Sequence, residues 1–459
     1  MSDRADGYMT GIAYTYDYYP ELNPLHMRLG LLNAGFAPPD IATACELGCG
    51  QGISLVLHAT ASRTRWFGTD VNSDHVTFAR TLAQASGADV RLFDEPFAAF
   101  GHRSDLPAFD FVVLHGVWSW ITEENRQVVV EFVRRRLKPG GVLFISYNAL
   151  PGSAAFGPVR HLLAEHARVG GGGVILERVD AAIDFVDSLS TTNPGYLQDN
   201  PKVAAGLDKL KREDRRYLAH EYFSRDWTPM HFSAVAECLS TADLSFACSA
   251  SYFEAVDSMN LDEGQRSLLA GVENPIFRQT VRDFMINQRF RKDYWIKTGR
   301  RLSARQRDEA LLGERVILIA DQAQLPIKIR AVLALNRGGP REAAVSAVLA
   351  VLADYRSRTL GEIQASLPDI SFRELVDSLL LLVAYQRVAA AQDTTTVTAV
   401  EDETRRLNAW LLAGEAGDRD IRHLASPITG GGVRIGDLHR RHDDRAESER
   451  AILRALGIA

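Results

Sequence analysis

The segment Glu46-Leu47-Gly48-Cys49-Gly50-Gln51-Gly52 closes a short apolar run, Ile41–Leu47. Glycines at 48, 50 and 52 let a backbone pass close to a ligand with no Cβ in the way. A nicotinamide-binding turn reads Gly-x-Gly-x-x-Gly. Its third glycine would fall where Ile53 stands. The Gly-x-Gly-x-Gly spacing found instead is the one expected for S-adenosylmethionine. Taken alone, these glycines also fit a bare strand-to-helix turn. Two acids bear on the choice. Asp70 lies at the end of the next apolar run, Trp66–Val71, where a carboxylate can accept from both ribose hydroxyls. Asp94 follows the third run, Asp89–Phe93, where an acid can meet an adenine amino group. Either acid alone reads as a helix cap or a solvated loop residue. Acids closing consecutive strands after such a loop are hard to explain as caps. S-adenosylmethionine is therefore the expected cofactor, with Glu46, Gly48, Gly50, Gly52, Asp70, Val71 and Asp94 around it.

Aromatic loops gather at the same rim. His115-Gly116-Val117-Trp118-Ser119-Trp120 follows the run Phe109–His115, and Tyr147-Asn148-Ala149-Leu150-Pro151-Gly152 follows Val142–Tyr147. Tyr14, Tyr16, Tyr18 and Tyr19 precede the first run and can fold over the rim as a lid. Plainer readings exist for each: His115 shaping its turn, the tryptophans packing in a core, the tyrosines forming a flap on the sheet. Together they suit methyl transfer to an amine. Aromatic faces favour a cationic methyl donor. They disfavour a second charge, which lowers the pKa of an incoming lysine. In-line displacement depends mainly on alignment, so no residue is assigned as acid or base.

Alternating strands and helices must position these loops. Glu123–Leu137 places Val129, Phe132, Val133 and Leu137 on one helical face. Lys138-Pro139-Gly140-Gly141 then stops that helix. Such alternation predicts an α/β fold with a doubly wound parallel sheet, which binds ligands at the carboxyl ends of its strands. The sheet domain is expected over residues 1–160 and again over 216–260, where a helix at Pro229–Ser240 precedes apolar runs Leu244–Cys248 and Tyr252–Ala255. Residues 161–215 read as a helical insertion, broken by Gly170–Gly173. Residues 261–303 read as a helical connector. A winged-helix-like domain is expected over 304–400, with Ser371 and Glu374 at capping-box spacing and a wing formed by Arg387–Ala391 and Thr396–Val400. The pattern leaves the fold of 401–459 open.

Composition narrows the function classes. The chain has 459 residues, enough for two to four domains. Hydrophobic residues make up 46% and charged residues 24%, which excludes a disordered, collagen-like or disulfide-rich chain. A net charge of −6 speaks against a nucleic-acid coat. No stretch approaches the roughly 18 apolar residues of a membrane span. Cys45, Cys49, Cys238 and Cys248 form no Cys-x-x-Cys pair, so no metal site is expected. Reduced thiols and the lack of a leader pattern at the N-terminus read as cytoplasmic. The arginine- and aromatic-rich stretch Arg278–Arg301 reads as an amphipathic helix with core aromatics; binding of nucleic acid or of an acidic protein surface is the alternative. The helix Ser371–Ala384 carries Glu374 and Asp377 beside Arg373, a poor set for reading DNA.

The segments Glu46–Gly52, His115–Trp120 and Ser146–Gly152 resemble the class I methyltransferases that carry a methyltransferase regulatory domain. The rickettsial outer-membrane-protein lysine methyltransferases belong to that group. Leu137–Val142 is a further recurring class I feature, and the two aromatic loops are the specific part. The resemblance continues through His220-Glu221-Tyr222-Phe223, Trp227-x-Pro229 and Asn274–Arg301. It implies a Rossmann-like sheet that binds S-adenosylmethionine through Glu46, Gly48, Gly50, Asp70, Asp94, His115 and Val117. It implies an acceptor pocket of Tyr14, Tyr16, Trp118, Trp120, Tyr147 and Asn148. It also implies a homodimer joined through the helical insertion, and a protein substrate methylated on lysine. The alternatives are a methyltransferase for a small molecule or peptide of a biosynthetic pathway, and a regulator that only senses S-adenosylmethionine.

Overall fold

The computed structural model describes residues 4–5, 8–9, 16–170, 174–224, 226–321, 342–417, 419–435 and 447–458. At its centre lie five parallel strands: β1 (Thr43–Leu47), β2 (Arg65–Thr69), β3 (Val90–Phe93), β4 (Phe109–Leu114) and β5 (Leu137–Asn148). Two antiparallel strands, β6 (Leu244–Ser249) and β7 (Phe290–Lys297), complete the sheet in the order β3-β2-β1-β4-β5-β7-β6. Strands β1 and β4 are buried along their whole length, because parallel strands need both faces covered. Helix α1 (Pro24–Asn33) precedes β1, and α2 (Ile53–Ala61), α3 (Ser73–Ser86) and α4 (Glu123–Arg136) come after β1, β2 and β4. The α2–α3 pair packs on the face carrying Ala44, Phe111 and Phe144. The opposite face, with Cys45, Val112 and Leu143, takes α4. The strand order reverses between β1 and β4, which opens a crevice at their carboxyl ends. The doubly wound sheet is as the sequence predicts. No helix among the described residues is long and apolar enough to cross a membrane.

The helical segment comprises α5 (Gly157–Val169), α6 (Ile175–Ser190), α7 (Pro201–Leu210) and α8 (Arg215–Phe223). It has its own core of Leu163, Val179, Ala182, Leu207 and Ala219. The helix α9 (Phe232–Ser240) returns the chain to the sheet, where Phe232 and Val235 join the α4 face. Tyr252–Ala255 is a helical turn, not the expected extended run.

The largest departure from expectation is β7. Residues 261–303 were expected as a helical connector, yet the helix α10 (Pro275–Ile286) ends at Asn287 and Phe290–Lys297 enters the sheet between β5 and β6. Its charges hide the strand pattern. Trp295 belongs to one core, and Tyr294 and Ile296 to the other. Arg291 and Asp293 share the Trp295 parity, and both are almost wholly buried. The Arg291 guanidinium lies 2.7 Å from Asp293 and 2.5 Å from Asp283 on α10. Each charge is tolerable there only because the others are present.

Beyond β7 come α11 (Ala304–Gly313), β8 (Arg315–Leu318), α12 (Glu342–Val351), β9 (Arg358–Thr359), α13 (Leu360–Ser366), α14 (Phe372–Ala384) and β10 (Val388–Ala391). Ser371 caps α14 as its spacing predicts, accepting from Glu374 N. The wing is not formed. Thr396–Val400 lies inside α15 (Thr394–Leu412), which Asp393 caps by accepting from Thr396 N at 3.0 Å. The partner of β10 is β8, which precedes the helices, in a small sheet ordered β9-β8-β10. The last residues fold back on the first domain. A hairpin of β11 (His423–Ser426) and β12 (Gly431–Arg434) packs with α15 against α2. Gln392 donates to Ala61 O at 2.8 Å and Asn23 to Thr429 O at 2.9 Å, which pins the hairpin beside α1 and α2.

The buried Arg291 cluster gives a direct test. Asp293→Asn leaves the guanidinium short of a counter-charge inside the sheet. Unfolding free energy should fall by about 3–5 kcal/mol in chemical denaturation; a loss below about 1 kcal/mol would mean the charges are solvated.

Candidate active site

The glycine loop is built by strand ends. Gly48 N and Cys49 N both donate to Thr69 O, which ties the loop to β2. Gly48, Gly50 and Gly52 all have positive φ, at 74°, 51° and 68°. A Cβ at Gly48 would fall 2.6 Å from a Val117 methyl, and one at Gly52 would fall 2.7 Å from Ala79 Cβ. At Gly50 it would meet nothing within 4 Å, because that position faces the crevice. The loop is thus closed behind and open in front.

Asp70 stands where β2 ends and holds the loop from below. One carboxylate oxygen accepts from Gly50 N at 2.9 Å and the other from Asn72 N at 2.9 Å. A carboxylate offers about four acceptor positions, so the two that remain suit a pair of hydroxyls. Glu46 lies at the end of β1, nearly wholly buried. Burial, with the Asp70 charge second, pushes its carboxyl up to about 8. His115 follows β4. Its Nδ1 is 3.1 Å from Ser146 Oγ, which accepts from Gly116 N. Burial, then the Lys292 charge, brings its imidazole down to about 4, so it is neutral at pH 7.

One cavity joins these groups. Its wall includes Glu46, Gly48, Gly50, Gly52, Asp70, Val71, His115, Val117 and Trp120, all expected from the sequence. Other expected residues stand elsewhere. Asp94 is exposed and pairs with Arg80 at 3.4 Å; Pro96 and Phe97 line the cavity beyond β3 instead. Trp118 is wholly buried in the α4 core, because a short 3-10 turn carries it there while Trp120, also buried, faces the cavity. Tyr147 donates to Asp293 within the sheet core. Asn148 accepts from Trp227 Nε1 at 3.2 Å and braces the rim without lining it. Tyr16 packs edge-on against Phe78 of α3. Tyr18 lies between His58 and His423, away from the cavity. Tyr14 lies outside the described residues.

Of the upper wall the sequence reading named Tyr19, as part of a lid, and missed Asp17 and the α8 side chains. Asp17 and Tyr19 line the cavity from the N-terminal segment, and the Tyr19 ring centre lies 3.8 Å from that of His115, the two planes tilted by 48°. His220 and Glu221 reach it from α8. Arg160 holds α8 in place, donating to Glu221 O and Ser224 O while lying 5.4 Å from the Trp120 ring centre. The His220-Glu221 pair was visible as a family feature, but nothing in its spacing showed where it would point. Among the described residues the wall holds four carboxyls, from Asp17, Glu46, Asp70 and Glu221, and no lysine or arginine. A cationic ligand bearing ribose hydroxyls fits that donor set, as S-adenosylmethionine does.

Comparison with known proteins agrees with this geometry. Residues 44–141 match a methyltransferase domain model, and 214–297 a predicted methyltransferase regulatory domain. An uncharacterized Synechocystis protein is 33% identical over 442 residues, covering 95% of this chain and 86% of that one. An uncharacterized Rickettsia prowazekii protein is 25% identical, covering 49% of this chain and 88% of its own. The structure of PKMT2 from Rickettsia typhi in complex with AdoHcy superposes with a TM-score of 0.66 at 17% identity, covering 96% of this chain and 91% of that one.

The loop geometry separates two glycines. Both Gly48→Ala and Gly50→Ala strain a positive φ, but only the first drives a methyl into Val117. Gly48→Ala should lose about 1–3 kcal/mol more stability than Gly50→Ala in parallel denaturation curves; equal losses would mean that Val117 yields freely.

Proposed function

Because the chain belongs to the class I, S-adenosylmethionine-dependent methyltransferases that carry a methyltransferase regulatory domain, we propose that its acceptor is a lysine side chain of a protein. The observation that carries this reading is the acidic cavity without a lysine or arginine on its described wall. Such a wall repels phosphate and carboxylate acceptors and draws an ammonium group.

Bound S-adenosylmethionine supplies an electrophilic methyl group on a sulfonium centre. Asp70 would take the ribose hydroxyls with its two remaining acceptor positions. Glu46 would ionise beside the cofactor's positive charge, since an opposite charge nearby favours the carboxylate. Phe97 would pack an apolar face against the adenine. Glu221 and Asp17, at the upper wall, would draw the lysine ammonium to the mouth. Deeper in, the neutral His115 and the Tyr19 and Trp120 rings offer it no counter-charge, so the ammonium would give its proton to solvent at the mouth and the amine would enter neutral. These rings also exclude water, and alignment within the cavity then does most of the work.

The test is heavy-methyl transfer. The protein is incubated with labelled S-adenosylmethionine and host lysate, and proteins and small molecules are analysed separately by mass spectrometry. Label on lysine Nζ of one or a few proteins, lost with Asp70→Ala, is the expected outcome. Label only on small molecules would overturn the lysine reading and point to a biosynthetic pathway. Cofactor binding with no transfer to either fraction would overturn it in favour of a sensor.

A further inference from the structure

A second cavity lies behind the N-terminal segment, on the side away from the methyl-transfer cavity. Its volume is about 470 Å³, within the range of small-molecule sites. Three parts of the chain meet there. The first domain gives Tyr18, Pro20, Asn23 and His26. The end of α14 gives Tyr385 and Arg387. The β11–β12 hairpin gives His423, Thr429 and Arg434. Among the described residues its wall has two arginines and no aspartate or glutamate.

Its polar groups are unfinished. Among the described residues, Arg387 Nε, His423 Nδ1 and Thr429 Oγ1 are buried without a hydrogen-bond partner. Thr429 is only 3% exposed. An unmade buried hydrogen bond costs about 1–3 kcal/mol, and native proteins leave few such groups. Three around one void call for an acceptor-rich occupant. Asp321 acts on Arg387 through its charge, but it is not on the wall. Guanidinium groups from two separate elements suit an anion with several oxygens, and a phosphoryl group matches their forked donors. Ile319, Val388 and the Tyr385 ring leave an apolar wall for the rest of the molecule.

We propose that this second cavity binds a small phosphoryl-bearing metabolite, and that its occupancy is coupled to S-adenosylmethionine binding. The coupling element is the extended backbone at Tyr19, with φ −116° and ψ 104°. In extended chain, neighbouring side chains point to opposite sides. Tyr18 therefore lines the second cavity while Asp17 and Tyr19 line the first. A ligand that sets Tyr18 also sets Tyr19 on His115, and the effect is reciprocal. This inference holds whichever acceptor is methylated.

The test uses the full chain by calorimetry, with orthophosphate, pyrophosphate and ribose 5-phosphate as probes and saturating S-adenosylmethionine present to block the first cavity. At least one probe should bind with a millimolar or tighter Kd. Arg387→Met and Arg434→Met should each weaken it roughly tenfold. Thr429→Val, nearly the same size, should weaken it in a variant that retains the native fold. A saturating probe should shift the S-adenosylmethionine Kd by roughly fivefold. No binding of any probe, or binding indifferent to all three substitutions, would overturn the site. Succinate binding more tightly than every phosphate probe would overturn the ligand class. Binding with an unchanged S-adenosylmethionine Kd would overturn the coupling.

Discussion

Two buried carboxyls with no lysine or arginine beside them on the described cavity wall are the constraint around which the site is arranged. Glu46 and Asp70 close neighbouring parallel strands, so the sheet itself forces two carboxyls together. Asp70 is satisfied by backbone amides of Gly50 and Asn72. Glu46 is left to burial, which holds its proton up to about pH 8. Each unit of such a shift corresponds to about 1.4 kcal/mol. An arriving cation relieves that cost, which is how a cavity can prefer a sulfonium donor before making any contact with its methyl group.

Elements far apart in sequence serve this cavity. The N-terminal segment lies over it, the regulatory-domain helix α8 forms its upper wall, and Arg160 fixes that helix against Trp120. The C-terminal hairpin holds the N-terminal segment from behind through Asn23, Tyr18 and His423. The last residues are therefore part of the methyltransferase unit and not an appended module. The buried Arg291 cluster plays a comparable part elsewhere, locking β7 to α10.

How much of this the sequence disclosed depends on what each signal requires. Inner parallel strands are buried on both faces, so β1, β2, β4 and the Val142–Tyr147 part of β5 stand out as apolar runs, whereas β3, at the sheet edge, buries only Leu92. The glycine loop and Asp70 were legible because their chemistry is local to one strand end. Strand β7 was hidden because its core positions include Arg291 and Asp293, a pair that satisfies itself inside the protein and mimics a solvated helix in sequence. Thr396–Val400 looked like a strand because threonine and valine are β-branched, yet the Asp393 cap started a helix at Thr394. Trp118 and Trp120 are indistinguishable in sequence, and one tight turn sends them to opposite places. Asp94 sits at the expected strand end, but its side chain turns out to Arg80. The contribution of Glu221 depends on how α8 docks, which no local pattern encodes.

The central claim is that the cavity is completed by a cation. Its most direct test is the proton count on binding S-adenosylmethionine, measured by calorimetry near pH 7 in buffers of different ionisation enthalpy. The account predicts net proton release as Glu46 ionises, and less release with Glu46→Gln, which retains any titration of the cofactor's own amine. Equal proton counts for the two proteins would contradict it.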